Sequence, residues 1–340
     1  MRKQYAKKIA GTVMIPLLTL AVLLVISAFQ QVLLFDGTGS WMIFFRATAS
    51  VTLTTFALAI NLNSGRFDFS LGSVAVFSSV LSATVALQYN LSPWGMLILS
   101  IIFGAALGAI SGLIYIFTHI PPIIASLGIT LLYEGATYAF TGGKGVSLVT
   151  CSDLIRFPSI INYILVLIAA VGIIVILLDY TRFGSHYRAL MSGQKIAVET
   201  GIREKPNAVA CYIIAGSLMG VVGFISATST GSIQMSLNFG SIGVMFTAFL
   251  PMFIGSYIGR FSNEKIGIML GAATTALISL AYARFDTSSA AQSIVSAMIL
   301  VCFLIYLNNQ HTIKALLQGK PSLKRNQSNT MEEADDSPDR

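Results

Sequence analysis

Residues 63–73 read NSGRFDFSLGS, and they break an otherwise almost continuous apolar run from Met42 to Leu87. A run of that length is too long for one membrane crossing and suits two, because a hydrocarbon core of about 30 Å takes about 20 residues rising 1.5 Å each. With two crossings, Asn63, Ser64 and Gly65 end one helix, Arg66 faces the cytoplasm, and Asp68 caps the next helix, where a carboxylate meets the positive helix end. The alternative is a broken helix that folds this polar segment back into the membrane beside a solute path.

Composition agrees with either reading. The chain has 340 residues, 55% hydrophobic and only 10% charged, against about 25% charged in a soluble domain. Hydropathy gives ten candidate spans: 11–34, 42–62, 69–87, 94–118, 122–140, 160–178, 207–227, 242–258, 266–283 and 289–307. None shows the alternation of a barrel strand, so an all-α integral membrane protein is expected. With both termini cytoplasmic, seventeen of the 21 Lys and Arg fall inside, and the outer loops hold only Lys144, Arg156 and Arg284. The organisation expected is a basic arm (1–10), a polytopic permease domain (11–307) and a polar, solvating tail (308–340). The apolar part after MRKQYAKK is long for a signal peptide and reads as an uncleaved first helix.

The net charge of +7 is spread in short inside links without interleaved aromatics, so no nucleic-acid partner is expected; membrane lipid is. Cys151, Cys211 and Cys302 are scattered, and His119, His186 and His311 have no second ligand at metal spacing, so neither disulfides nor metal are expected. Small residues recur every four positions at Gly104, Gly108 and Gly112, a spacing of close helix packing.

The one long inside loop, residues 179–206, is too small to be a catalytic domain and suits a lever gripped by a soluble partner, or a plain basic connector. Its RFG at 182–184, AL at 189–190 and GI at 201–202, followed by Tyr212, Gly216 and Gly223, resemble the loop and next helix of the ribose-type permeases of bacterial ATP-binding-cassette importers. FDFSLGS at 67–73 is similar to that family's I-D-L-S-V-G-S, and IPPIIASLGITLLYEGATYAFTGG at 120–143 to its I-P-P-F-I-V-T-L-G segment with the closing T-G-G. The resemblance covers about residues 45–230. It departs at Arg66, at Glu134 (an Arg in the family), at Gln194–Lys195–Ile196 and in FIGSYIGRFSNEKIG.

The resemblance implies a sugar or related small polar solute, a second permease subunit, an extracellular or periplasmic solute-binding protein, and an ATPase subunit docked on the loop. Arg182, Phe183, Gly184, Ala189, Gly193, Ala197, Gly201 and Ile202 are the coupling residues it implies. No phosphate-binding loop is present, since GGKG at 142–145 lacks its spacing, so ATP belongs to the partner and no cofactor is expected here.

Charges inside spans are costly and usually face a cavity. Arg46 and Glu134 qualify, at similar depth, and are expected either to pair or hydrogen-bond across an outward cavity, or else Arg46 to snorkel to the interface and Glu134 to be satisfied locally. With them, Asp68, Ser70, Ser73, Ser126, Thr130 and Asn238 are candidates for the solute path. An ion-coupled secondary transporter is the competing function, disfavoured because deep acidic residues are almost absent. No paired-carboxylate or Ser/His/Asp constellation suggests an enzyme.

Overall fold

The computed structural model describes residues 2–317, and the chain divides into two units after Thr287. The first unit runs α1 (Arg2–Gln30), α2 (Gly37–Asn63), α3 (Leu71–Gln88), α4 (Pro93–Thr118), α5 (Pro122–Thr141), α6 (Ser152–Ile155) and α7 (Ile160–Val175), which a π-helical turn extends over Ile176–Tyr180. Then follow α8 (Arg182–Ser192), α9 (Gln194–Glu199), α10 (Glu204–Thr230), α11 (Ile242–Phe246), α12 (Phe249–Gly259) and α13 (Glu264–Arg284). Two short strands, β1 (Val146–Ser147) and β2 (Ser232–Ile233), pair antiparallel. In the second unit the described element is α14 (Ser289–Leu317); the expected tail lies outside the described residues from 318 onward.

Among the described residues, ten helical segments are long and apolar enough to cross a membrane, in the order and places expected from hydropathy. Local chemistry sets their ends. Pro93 opens α4 with the Ser92 hydroxyl accepting from the Gly95 amide, and α5 ends at Gly142 in the left-handed region. The second span begins five residues earlier than hydropathy suggests, at Gly37, because Asp36 and Ser40 hydrogen-bond to each other and keep the polar start helical.

The core is held by backbone-to-backbone contact. A Cβ added at Gly108 would lie 2.2 Å from the Tyr212 carbonyl oxygen, at Gly216 2.3 Å from that of Gly104, and at Gly220 2.1 Å from that of Ser100. Thus α4 and α10 touch along a glycine seam, as the four-residue spacing on α4 foretold. Gly223 meets the Ala75 carbonyl of α3 in the same way, and Gly267 on α13 meets that of Gly255 on α12.

Residues 64–70 form a turn, with Gly65 at φ +78° and the Arg66 amide donating to the Asn61 carbonyl. Two details differ from the sequence expectation. The turn is buried, with Arg66 3% and Asp68 2% exposed. Ser70, not Asp68, is the residue preceding the first helical position; the Asp68 carboxylate accepts from the Ser70 amide (2.9 Å), the Ser70 hydroxyl (2.6 Å) and the Asn61 amide (3.0 Å). Burial pushes the Asp68 carboxyl above its ordinary value, against the pull of these hydrogen bonds. Arg66 reaches Ser64 at 3.0 Å and Glu204, at the start of α10, at 3.5 Å.

The broken helix lies elsewhere. The eighth span is split into α11 and α12 around Thr247 and Ala248, and the irregular stretch ahead of it holds Asn238 (φ +55°) and Phe239 (φ +64°) consecutively in the left-handed region. Such backbone is tolerated at membrane depth only where protein or a cavity surrounds it.

Candidate functional site

A cavity of about 680 Å³ lies between α2, α3, α10 and the broken span. Its lining includes Arg46, Ser50 and Thr54 from α2, Ala75 and Ser79 from α3, Gly223, Ser226 and Thr230 from α10, then Gln234, Val244 and Thr247. The four-residue steps Arg46–Ser50–Thr54, Ala75–Ser79 and Ser226–Thr230 each place their residues on one helix face. The cavity borders residues 46–54 of α2 and 222–230 of α10, whereas the Arg66–Glu204 pair joins the far ends of those helices, so the cavity lies away from residues 64–70.

The hydroxyls are held but not exhausted. Thr54 donates to the Ser50 carbonyl (2.8 Å), Ser79 to that of Val76 (2.7 Å) and Thr230 to that of Ser226 (2.9 Å). Thr54 and Ser79 spend their protons on their own helix, Thr230 also reaches the Ser232 carbonyl at 2.7 Å, and each oxygen keeps lone pairs for a hydroxylated guest.

Of the path candidates read from the sequence, Arg46 lines this cavity. Its place nine residues into α2 puts it about 14 Å along the helix. It does not pair with Glu134. The Glu134 carboxylate instead accepts from the amides of Phe239 and Ser241, both at 2.9 Å, and from the Ser241 hydroxyl at 2.6 Å. Neither expected alternative holds for Glu134: it is satisfied neither by Arg46 nor locally, but by two backbone amides 105 and 107 residues away, beside the left-handed pair at 238–239. Asn238 sits in that clamped segment. Ser73 donates to the Ser70 carbonyl, Ser126 to that of Ile123 and Thr130 to that of Ser126, while Ser70 and Asp68 bond each other.

The loop candidates form a compact foot. Thr181 caps α8 by accepting from the Gly184 amide, and Gly184 lies so close to the π-helical turn that a Cβ would be 2.1 Å from the Leu178 carbonyl. Phe183 stacks on Tyr187, whose hydroxyl reaches the Ala59 carbonyl of α2 at 3.4 Å. Asp179 pairs with Arg188 (3.1 Å) and with Lys265 at the start of α13. Gly193 separates α8 from α9, Ala197 is buried, and Gly201, at φ +92°, ends α9 before the half-buried Ile202. Arg182 is exposed, Ala189 half-buried, and Ile196 and Val198 present apolar side chains 69% and 45% exposed.

Residues 42–309 match the family described as the permease component of branched-chain amino acid transport systems. The chain belongs to this family. The permease is 26% identical to the inner membrane ABC transporter permease protein YjfF of Escherichia coli K12, over 74% of its own length and 77% of that protein's. It is also 26% identical to the galactose/methyl galactoside import permease protein MglC of Haemophilus influenzae, over 51% of its own length and 58% of that protein's. Among solved structures it resembles a metal-chelate type ABC transporter in an inward-facing conformation, with TM-score 0.51 and 18% identity, covering 89% of this chain and 99% of that one; at that identity the likeness concerns fold alone. The permease is a multi-pass inner-membrane transport subunit of the ABC importer type.

Reading the permease's sequence missed Ser50, Thr54, Ser79, Ser226, Thr230 and Gln234. The signal that reaches the first two was present, since both lie on the face marked by Arg46 at steps of four.

Proposed function

We propose that this permease forms the translocation path of an ATP-driven importer for a sugar or related small polar solute, with the hydroxyl-lined cavity as the path's outer half. The observation that carries the reading is the cavity itself: it is of a size suited to small solutes, and among apolar side chains it presents Ser and Thr hydroxyls from three helices and Gln234 from the segment after β2. Orientation follows from the distribution of Lys and Arg, which puts α8 and α9 in the cytoplasm and the cavity toward the outside. The chain carries no ATPase motif, so an ATPase subunit supplies the energy by docking on α8–α9, a second permease subunit completes the path, and a solute-binding protein delivers the cargo. Relatives named as sugar permeases support the solute class.

The place of Glu134 supports ATP drive over ion coupling: its carboxylate clamps the 239–241 segment through three donors and does not line the cavity. In proteoliposomes holding the permease with its ATPase and binding protein, uptake should need ATP on the α8–α9 side, stop with vanadate and ignore an ionophore. Uptake that an ionophore abolishes and ATP depletion leaves intact would overturn the reading.

The exposed Ile196 side chain on α9 makes docking testable. Ile196→Asp places a charge where an apolar contact with the ATPase is expected, and an anchor of this kind contributes about 2 kcal/mol. Co-purification of the ATPase should fall by about tenfold or more while the melting temperature of the permease alone is unchanged. Full co-purification would show that docking lies elsewhere.

A further inference from the structure

We propose that the solute carries an anionic group, a carboxylate or phosphate, which Arg46 receives in the cavity. The inference rests on the path reading and narrows its solute class.

Arg46 is the one ionisable residue in the cavity lining. Its guanidinium makes no hydrogen bond or ion pair among the described residues, although it stands about 14 Å along a membrane-spanning helix. No acid lines the cavity; Glu134 is committed to the amides of Phe239 and Ser241, and Asp36, just ahead of α2, to Arg284 at 3.1 Å. Tyr163 on α7 is buried, and its hydroxyl has no hydrogen-bond partner among the described residues. A cation at this depth without a counter-ion is costly unless a guest supplies the charge. The guanidinium fork presents paired donors that match a carboxylate or phosphate. One and two helical turns away, the Ser50 and Thr54 oxygens offer acceptors for the guest's hydroxyls. The chemistry selected is therefore a small polyol bearing one acidic group, such as a sugar acid or sugar phosphate.

The test uses the full-length permease in lipid nanodiscs, titrated with D-ribonate, D-ribose 5-phosphate and D-ribose while thermal melting is followed. At least one of the two anions should raise the melting temperature where D-ribose at equal concentration does not; which of them does so separates a carboxylate from a phosphate guest. Arg46→Gln should weaken that anion's binding by about tenfold or more, the worth of a charge-assisted pair, and Arg46→Lys should retain part of it. D-ribose stabilising as well as the anions, no response to either anion, or binding indifferent to Arg46→Gln would each overturn the proposal. Ser226→Trp separates this outcome from failure of the path reading, because Ser226 is exposed in the cavity and an indole there fills space without overpacking the core. If Ser226→Trp stops uptake of the transported solute while anion binding ignores Arg46, the anion inference alone fails. If uptake survives Ser226→Trp, the cavity is not the path and both fail.

Discussion

Gly216→Leu should abolish accumulation of folded permease, and Gly216→Ala should already lower its melting temperature clearly. The first methyl group would sit 2.3 Å from the Gly104 carbonyl oxygen and 2.9 Å from the Gly108 Cα, atoms of a backbone that has no rotamer to yield. Overpacking a core costs about 1–3 kcal/mol where side chains can shift, so Ala should fall at or above the top of that range, and Leu must separate α4 from α10 altogether. Gly128→Ala on α5 is the matched control, because nothing lies within 4 Å of its Cβ position. Size-exclusion profiles and thermal melts of the three variants in one detergent settle the matter. A melting temperature unchanged by Gly216→Ala would contradict the seam.

Glu134→Ala should be the most damaging change to the path's architecture. It leaves the Phe239 amide, the Ser241 amide and the Ser241 hydroxyl without their acceptor. Each buried donor so stranded costs about 1–3 kcal/mol. The clamp also holds Asn238 and Phe239 in left-handed backbone, which persists only where its surroundings impose it. Hydrogen exchange over residues 234–247 should accelerate by orders of magnitude, and uptake should be lost. Glu134→Gln offers one carbonyl in place of two oxygens, so it should keep the Ser241 bonds, lose that to Phe239, and show an intermediate effect. Protection of 234–247 that survives Glu134→Ala would mean that the segment is held by other contacts.

The spans were legible because bilayer thickness imposes a length on every crossing, and the glycine seam because its residues repeat on a single helix. What could not be read depends on distance in sequence or on context. Glu134 finds its donors beyond residue 238, so nothing near it announces the clamp, and an acid in a span looks the same whether it faces a cation or two amides. The break at Thr247–Ala248 leaves the apolar run intact, so hydropathy passes over it. Thr54 and Ser79 make the same kind of backbone hydrogen bond as Ser73 or Thr130; only the neighbouring helices decide which group borders a cavity. The turn at 64–70 was placed correctly, but its burial depends on Glu204 and the packed start of α10.

The glycine contacts between α4 and α10 also act as the teeth of a rack. Gly216 and Gly220 on one helix engage Gly104, Gly108 and the carbonyl of Ser100 on the other at intervals of four residues. A slip of one residue would drive Ser217 or Ala215 into a space shaped for hydrogen, and only a jump of a whole interval, about 6 Å along the axis, would mesh them again. Sliding is therefore blocked, and whatever motion alternates the path's opening must carry α4 and α10 together as one body.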